Sequence, residues 1–327
     1  MKNLIDKKDK IFIAGHKGMV GNAISKNLEK KNYLNLLKLS KDEFDLEDIE
    51  KVNNIFYLFK PTVVIIAAAK VGGIFANNNY PTDFLLRNLK IQNNLIEASK
   101  NFDVKRLLFL GSSCIYPKFS PQPIKEEYLL TSELEKTNEW YAIAKITGIK
   151  LCQAMRIQYG LDAISLMPTN VYGPGDNYHT QNSHVIAGLI RKFHEAKLNN
   201  QDIVTCWGSG KPLREFIHVN DLADACIFAL ENWNPDDKLS PKDNFGKGLT
   251  YLNVGTGDEI KIKDLAELIS KIIGFKGKII WDKSMPDGTP RKFLDSSKIN
   301  TLGWKRKIAL IDGLTSTIKD YKNQLNF

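Results

Sequence analysis

Tyr141 and Lys145 stand four residues apart in a segment that favours a helix. On a helix this spacing places both side chains on one face. Because an ammonium beside a phenol favours the phenolate, the pair predicts that the pKa of Tyr141 falls from about 10 toward neutrality. Such a tyrosine can exchange a proton with a carbinol or carbonyl oxygen, and the hydroxyl of Ser112 can hold the same oxygen. These residues predict carbonyl reduction by a nicotinamide.

A glycine-rich turn near the N-terminus indicates where the nicotinamide cofactor binds. The apolar run 11–14 predicts a buried strand, and a helical pattern follows the glycines. Gly15 would permit the tight turn, Gly18 the approach of a pyrophosphate, and Gly21 close helix–strand packing. The spacing is G-x-x-G-x-x-G rather than G-x-G-x-x-G, but strand, turn and helix occur in the order of a dinucleotide site. The residues of this turn that we expect to contact the cofactor are Gly15, His16, Lys17, Gly18, Met19, Val20 and Gly21.

The end of the second predicted strand, 34–39, bears on the choice between NAD and NADP. Folds that prefer NAD usually place an acidic residue there to hold the ribose 2′-hydroxyl. This chain instead has Leu39, Ser40 and Lys41, with Lys38 before them. Because basic surroundings suit a 2′-phosphate, we predict NADP(H) as the cofactor, with Ser40 and Lys41 among its contacts.

Apolar, strand-like runs alternate with helical patterns along the chain. The runs are 11–14, 34–39, 62–68, 106–110, 163–167 and 250–254, and the helical patterns are 19–31, 46–58, 82–100, 139–159 and 219–231. This alternation predicts an α/β fold with a Rossmann-type, doubly wound parallel sheet. Active groups should lie at the carboxyl ends of its strands, where 111–114 and 168–170 fall.

The pattern changes after Asn170, where turns and shorter elements predict a smaller C-terminal α/β lobe that covers the substrate. This lobe should contain helices at about 184–198 and 262–273, with strands near 203–207 and 278–281. We therefore assign residues 1–172 to the NADP-binding Rossmann domain, and we expect the chain to return to the sheet of this domain near 215–254. Residues 173–214 and 255–327 are assigned to the substrate lobe.

Composition restricts the class of protein. The chain has 327 residues, of which 43% are hydrophobic and 25% charged, as in ordinary soluble proteins. The net charge of +9 is spread over dispersed lysines without a recognisable nucleic-acid module, so an anionic cofactor and substrate explain it as well as nucleic acid does. We therefore expect no nucleic-acid partner.

The location in the cell is inferred from the cysteines and the apolar runs. The four cysteines lack metal-ligand spacing, which predicts a reducing compartment, no disulfide framework and no metal site. Residues 1–10 are too polar for a signal peptide, and the longest apolar run, 63–69, is too short to span a membrane. We expect a cytoplasmic protein without a membrane partner.

Strings along most of the chain resemble extended short-chain dehydrogenases/reductases that act on nucleotide sugars. The strings are GHKGMVG at 15–21, AAAKVGGI at 67–74, FLGSSCIYP at 109–117, YAIAK at 141–145, MPTN at 167–170, NSHVI at 182–186 and WGSG at 207–210. The resemblance covers about 10–318 and is strongest to the members that act on GDP-4-keto-6-deoxy-D-mannose. It implies epimerisation at C3 and C5, followed by reduction of the C4 ketone by NADPH.

The resemblance also implies roles for individual residues. Cys114 and His184 match the positions that exchange protons at C3 and C5, and both side chains can do so near neutral pH. Tyr141 would stabilise the enolate and then protonate O4, which Ser112 would hold. Lys145 would tune Tyr141 and hold the nicotinamide ribose.

Further positions match the family's ligand contacts. For the cofactor these are Leu110, Gly111, Ser112, Ser113, Lys145, Pro168, Thr169, Asn170, Val171 and His184. For the GDP-sugar they are Lys192, Trp207, Arg214 and Asp287, with Arg291 as a further candidate. The family often carries an arginine where this chain has Leu39, so one contact to the 2′-phosphate would be missing.

The resemblance also implies a homodimer that forms through helices near 82–100 and 139–159. The apolar residues of these helices include Leu85, Leu89, Ile96, Ile149, Cys152 and Ile157.

Two other interpretations remain. One is a related nucleotide-sugar 4-epimerase, 4,6-dehydratase or ketoreductase; a dehydratase would be expected to carry an acidic pair where Ser113 and Cys114 stand, and a 4-epimerase needs no cysteine–histidine pair. The other is a non-catalytic NADP-binding sensor. Such proteins commonly lose the tyrosine or the lysine, whereas this chain keeps both Tyr141 and Lys145.

Overall fold

The computed structural model describes residues 3–39, 44–180, 182–285 and 287–325. Its strands are β1 (Ile11–Ala14), β2 (Leu36–Leu37), β3 (Val63–Ile66), β4 (Arg106–Leu110), β5 (Ala163–Pro168), β6 (Asn170–Tyr172), β7 (Ile203–Trp207), β8 (Leu213–His218), β9 (Tyr251–Val254), β10 (Glu259–Lys261), β11 (Lys278–Asp282) and β12 (Arg291–Lys292). Its helices are α1 (Met19–Lys30), α2 (Ile49–Phe59), α3 (Ile74–Asn79), α4 (Asn88–Asn101, preceded by a π-turn at Asp83–Arg87), α5 (Glu139–Tyr159), α6 (Val185–Leu198), α7 (Val219–Asn232), α8 (Ile262–Ile273), α9 (Ser297–Thr301) and α10 (Leu310–Leu325).

A parallel, six-stranded sheet with the order β2-β1-β3-β4-β5-β9 forms the centre of the molecule. Every residue of β1, β3, β4, β5 and β9 is buried, because helices cover both faces and leave no polar face to the strands. Helix α1 packs against α7, and α4 packs against α2 and α5. The predicted doubly wound α/β fold is confirmed. The strand order reverses between β1 and β3, which is where such sheets bind their ligands.

Local signals determine where the helices begin and end. The Asp48 side chain caps α2 by accepting from the backbone N–H groups of Glu50 and Lys51. Helix α5 ends at Gly160, which has a left-handed conformation with φ of 71°. Helix α1 begins after Gly18 with no side-chain cap. Its first N–H groups are therefore available to an anion.

The lobe is built from short strands around β8, which pairs with β6, β10 and β12, while β7 pairs with β11 in a separate two-stranded sheet. A second apolar core lies here, and its members include Ile190, Phe193, Ile269 and Leu314. The sequence patterns did not reveal β6, β8, β10 or β12. The last helix, α10, begins at Leu310.

Glu215 on β8 joins segments that are distant in sequence. Its buried carboxylate accepts hydrogen bonds from the backbone N–H groups of Thr256 (2.6 Å), Gly257 (2.9 Å) and Leu294 (3.1 Å). Leu294 itself packs in the core of the large sheet together with Ile299 and Trp304. Part of the stretch 255–327 thus packs in the core of the large sheet.

Within the described ranges, no helix is both long enough and apolar enough to cross a lipid bilayer.

Candidate active site

The glycine turn has the geometry that a dinucleotide requires. Gly15 has φ of +90°, and a Cβ there would lie 2.7 Å from the backbone nitrogen of Ala68. A Cβ on Gly21 would lie 2.2 Å from the Gly15 carbonyl oxygen, so both positions exclude a side chain. Gly18 donates its N–H to the Gly15 carbonyl at 3.0 Å and leads into the uncapped start of α1. These residues fit a diphosphate at the helix N-terminus.

A groove of about 560 Å³ runs from this turn along the switch point of the sheet. All seven turn residues expected to contact the cofactor line it, and so does Leu39. Ser40 and Lys41, the other two expected contacts near the 2′-phosphate, lie outside the described residues. Arg87 and Glu47, which the sequence patterns did not single out, also line the groove.

A second cavity, of about 310 Å³, adjoins the groove and holds the expected catalytic residues. Those lining it are Ser112, Cys114, Tyr141, Lys145 and His184, and the expected cofactor contacts that line it are Leu110, Gly111, Ser113, Pro168, Thr169, Asn170 and Val171. Met19, Val20, Ala67 and His184 line both cavities, which identifies the junction between them. A ligand in the groove can therefore extend into the catalytic pocket.

Tyr141 and Lys145 lie on one face of α5, as their spacing predicted, but their electrostatics differ from the prediction. The Lys145 ammonium donates to the Leu110 carbonyl at 2.8 Å and lies 5.8 Å from the centre of the Tyr141 ring. Burial raises the pKa of Tyr141, the Cys114 charge raises it further, and the Ser112 hydroxyl opposes them. The expectation of a lowered pKa is therefore wrong for this structure. Burial also lowers the pKa of Lys145 to about 7, so its charge is weakened where it was expected to act.

Packing between α5 and β4 holds Lys145 in this position. A Cβ at Gly148, one turn after Lys145, would lie 2.4 Å from the ring of Phe109, so the glycine lets the helix approach the strand closely. The Gln92 amide of α4 donates to the Ala144 carbonyl at 2.7 Å and fixes the helix from the other side. Lys145 can thus reach the end of β4.

Cys114 is half-buried in a short turn after β4, where the Ser112 hydroxyl accepts its backbone N–H at 3.2 Å. The Lys292 ammonium lies 3.6 Å from its sulfur. Lys292 was missed by the sequence patterns, which singled out its neighbour Arg291. The only signal was a basic dipeptide after a proline-rich turn. Cys152, Cys206 and Cys226 are buried, so Cys114 is the accessible thiol among the described cysteines.

His184 immediately precedes α6, at the junction of the two cavities. Burial lowers the pKa of its imidazole, so the ring is neutral at neutral pH. A neutral imidazole can accept a proton at one nitrogen and donate one from the other.

The residues expected to bind the GDP-sugar are not all in the pocket. Arg214 lines it, and burial lowers the pKa of its guanidinium. Lys192 donates to the Thr205 carbonyl at 2.9 Å and lies 5.0 Å above the half-exposed ring of Trp207, away from the pocket wall. These two form a separate surface of the lobe.

The remaining two expected substrate contacts have protein partners. Asp287 accepts from the backbone N–H and the hydroxyl of Ser209, both at 2.7 Å. Arg291 binds Glu259 through two nitrogens, at 2.7 and 2.8 Å. Gly288 and Thr289, between these two residues, line the pocket instead.

No cluster of histidine, cysteine, aspartate and glutamate side chains in the described part of the chain could hold a metal ion.

This combination of fold and site defines a class of protein. Residues 11–241 match the NAD dependent epimerase/dehydratase family, and the chain belongs to this family.

Within this family, the chain is 54% identical to GDP-L-fucose synthase 1 of Arabidopsis thaliana, and the match covers 100% of this chain and 97% of that protein. It is 49% identical to GDP-L-fucose synthase of Escherichia coli (strain K12), covering 98% and 99%. The solved structure of MlghC, a GDP-mannoheptose C4 reductase from Campylobacter jejuni with NADP bound, has a TM-score of 0.86 and 37% identity over 97% of this chain and 99% of that one. The resemblance to nucleotide-sugar enzymes is confirmed.

Proposed function

We propose that this protein converts GDP-4-keto-6-deoxy-D-mannose to GDP-L-fucose by epimerisation at C3 and C5 and reduction at C4, with NADP(H) as cofactor. The observation that carries the proposal is the single pocket that contains both a ketone-reducing set of side chains and a cysteine–histidine pair. The identity to GDP-L-fucose synthases over nearly the full chain supports the same activity. The bound NADP of the Campylobacter jejuni reductase supports the cofactor.

For the reduction, Ser112 and Tyr141 hold the C4 oxygen of the substrate. Because burial raises the pKa of Tyr141, its hydroxyl is protonated at neutral pH and can donate that proton to O4. The bound cofactor supplies the hydride that C4 receives. Lys145 is fixed by the Leu110 carbonyl beside this site, where its ammonium can also donate to a ribose hydroxyl.

For the epimerisation, the ketone acidifies the C–H bonds at C3 and C5. One side chain removes the proton from one face of the sugar, and another returns a proton to the opposite face. Cys114 and His184 line the same pocket and can both exchange protons. The Lys292 ammonium, 3.6 Å from the sulfur, balances the negative charge left on Cys114 when its proton is lost. Tyr141 and Ser112 stabilise the enolate oxygen meanwhile.

The diphosphate of the substrate's GDP moiety is negatively charged, and it would face the lobe. Arg214 and Lys292 line the pocket there and suit the diphosphate. Lys192 and the exposed face of Trp207 lie outside the pocket on the separate surface of the lobe, and they suit the base of a ligand that extends beyond the pocket. Asp287 and Arg291 are already engaged by Ser209 and Glu259, so only their remaining acceptor and donor sites are available to the substrate.

A single assay tests the activity. The purified protein is mixed with NADPH and the keto sugar in deuterated water, and the product is analysed by NMR. We expect NADPH oxidation, deuterium at C3 and C5, and GDP-L-fucose. Reduction without deuterium uptake would favour a simple C4 reductase, as in the Campylobacter jejuni protein. Absence of both reactions would contradict the proposal.

Cofactor preference is a second measurement. Lys17 lines the groove, and basic surroundings favour the 2′-phosphate, so NADPH should exceed NADH in kcat/KM. Added salt should reduce that ratio, since screening weakens exposed charge pairs. Equal use of both cofactors at low salt would show that the leucine at position 39 removes the preference.

We further propose a homodimer in a reducing, cytoplasmic setting. Three of the apolar residues named above, Ile96, Ile149 and Cys152, are core residues and cannot form the contact. Ile157, also named above, is exposed, and Leu86, Trp140 and Ile143 are further exposed apolar residues of the same helical region. A symmetric contact through them fits the usual geometry of such dimers. The four free cysteines support the reducing setting.

Sedimentation at micromolar concentration tests the dimer. Ile157→Glu should yield a monomer, because it buries a charge in the contact. Ile280→Glu, at a similarly exposed apolar position on β11, is the matched control and should remain dimeric. A monomeric wild-type protein would contradict the proposal.

A further inference from the structure

An ion pair lies on the wall of the dinucleotide groove, outside the lining of the catalytic pocket. Arg87 donates from Nε and Nη2 to Oε1 of Glu47, each at 2.7 Å, and both residues line the groove. The two side chains are 31% and 19% exposed, so the pair faces the cavity rather than the core. The reaction described above does not use either residue.

The position of the pair within the groove can be assigned from its neighbours. Met19, Val20 and His184 line both cavities and mark the nicotinamide end. Arg87 and Glu47 line the groove but not the catalytic pocket. The glycine turn, which suits the diphosphate, and Leu39, at the strand end where the adenosine ribose is expected, line the same groove. The pair therefore lies at the adenosine end.

Apolar side chains line the groove beside Arg87. Ile91 follows Arg87 by one helical turn, and Leu46 precedes Glu47; both line the groove, as does Leu39. Asn94, a further turn along α4, donates to the Leu46 carbonyl at 3.0 Å and fixes the loop to the helix. This part of the groove thus combines apolar side chains with the Asp45 and Glu47 carboxylates and a planar guanidinium.

This chemistry suits a flat aromatic ring better than a phosphate. The Glu47 carboxylate already neutralises Arg87 at 2.7 Å, and it would repel a second anion brought to the same group. A neutral ring avoids that repulsion, and a guanidinium held flat by a carboxylate is well arranged to stack on it. We propose that Arg87, positioned by Glu47, stacks on the adenine of the cofactor and contributes affinity that does not depend on the 2′-phosphate. This inference rests on the dinucleotide assignment of the groove.

Calorimetric titration with 5′-ADP and 2′,5′-ADP tests the proposal without any measurement of turnover. Stacking on a partly exposed ring predicts that Arg87→Met weakens both ligands by a similar factor of about five. Arg87→Lys keeps the charge but loses the planar group, so it should weaken both ligands almost as much. Glu47→Gln should weaken both by about twofold, because the guanidinium loses its anchor.

Arg306→Met is the matched control, since Arg306 also pairs with a carboxylate, Asp258, and is 30% exposed. It should bind both ligands like the wild type. Selective loss of 2′,5′-ADP in Arg87→Met, with rescue in Arg87→Lys and stronger binding in Glu47→Gln, would overturn stacking in favour of a phosphate contact. Unchanged binding of both ligands by Arg87→Met would overturn the proposed role of Arg87 but not the dinucleotide assignment of the groove. If the wild-type protein bound neither ADP ligand nor NADPH, the dinucleotide assignment itself would fail.

Discussion

Ser112, Tyr141 and Lys145 reach the catalytic pocket from the large sheet and α5, whereas Arg214 and Lys292 reach it from short strands of the lobe. The sheet side is held by long, buried elements, and burial sets the pKa values of Tyr141 and Lys145. The lobe side is held by contacts between distant segments, and it presents cations. The comparison shows a division between groups suited to the reacting carbonyl and groups suited to an anionic substrate. Changes on the sheet side should lower kcat, and a change of Arg214 on the lobe side should raise KM.

The largest expected effect is that of Tyr141→Phe. The ring remains but the proton donor is lost, so NADPH oxidation with the keto sugar should fall by about a hundredfold or more. Deuterium uptake at C3 and C5 should fall as well, because the enolate loses a hydrogen bond. Tyr159→Phe, on the exposed end of the same helix, should behave like the wild type. Near-normal turnover of Tyr141→Phe would contradict the proposal that residues on the sheet side carry out the reduction.

Cys114→Ser should separate the two reactions. Serine keeps the size of the side chain but is a far weaker acid, so exchange at C3 or C5 should fall by about a hundredfold. Binding of NADPH and GDP should persist, and NMR should detect a 6-deoxy product other than L-fucose. If Cys114→Ser and His184→Gln both formed GDP-L-fucose at wild-type rates, a simple ketoreductase or a 4-epimerase would be the better interpretation.

Arg214→Met should raise KM for the GDP-sugar by about tenfold with a smaller change in kcat, since a charged hydrogen bond to the substrate is lost. Arg291→Met should raise KM less, because Glu259 already holds that guanidinium. Steady-state kinetics on both variants, with Arg306→Met as control, measures the difference. An equal rise in KM at the two positions would show that Arg291 leaves Glu259 when substrate binds.

Lys145→Met should abolish reduction yet stabilise the cofactor-free protein by at least about 1 kcal/mol at pH 6, as removal of a buried charge often does. Burial lowers the pKa of Lys145 to about 7 from an ordinary value of 10.5. Folding therefore carries the full cost of the buried charge below pH 7. Between pH 7 and 10.5 the unfolded chain binds the extra proton, so wild-type stability rises with pH relative to the variant. Urea unfolding at pH 6 and pH 9 measures this. A variant less stable than the wild type at pH 6 would contradict it.

The same division explains what the sequence could predict. The sheet strands are buried on both faces, so runs such as 106–110 are visible as apolar segments without any knowledge of their neighbours. The lobe strands β10 and β12 have three and two residues, and they exist only because β8 lies between them. Short segments of this kind carry no period of their own.

Site residues follow the same rule. The glycine turn and the tyrosine–lysine pair are local motifs, so their places at the groove and in the pocket could be predicted. Lys292 and Cys114 are 178 positions apart, and their contact depends on tertiary structure alone. The wrong direction for the pKa of Tyr141 has a similar cause. The spacing predicted a neighbouring ammonium, but burial and the Leu110 carbonyl determine what that ammonium does.

The turn at 287–289 has unequal attachments at its two ends, and this has a kinetic consequence. Beyond its C-terminal end, Leu294 is bound to the buried carboxylate of Glu215. At its N-terminal end, the hydrogen bonds that Asp287 makes with described residues are those from Ser209, and they are exposed to water. Because Gly288 and Thr289 line the pocket, its mouth has one firmly attached rim and one rim held through exposed contacts. We therefore expect release of Asp287 from Ser209 to open the pocket for substrate entry and product departure.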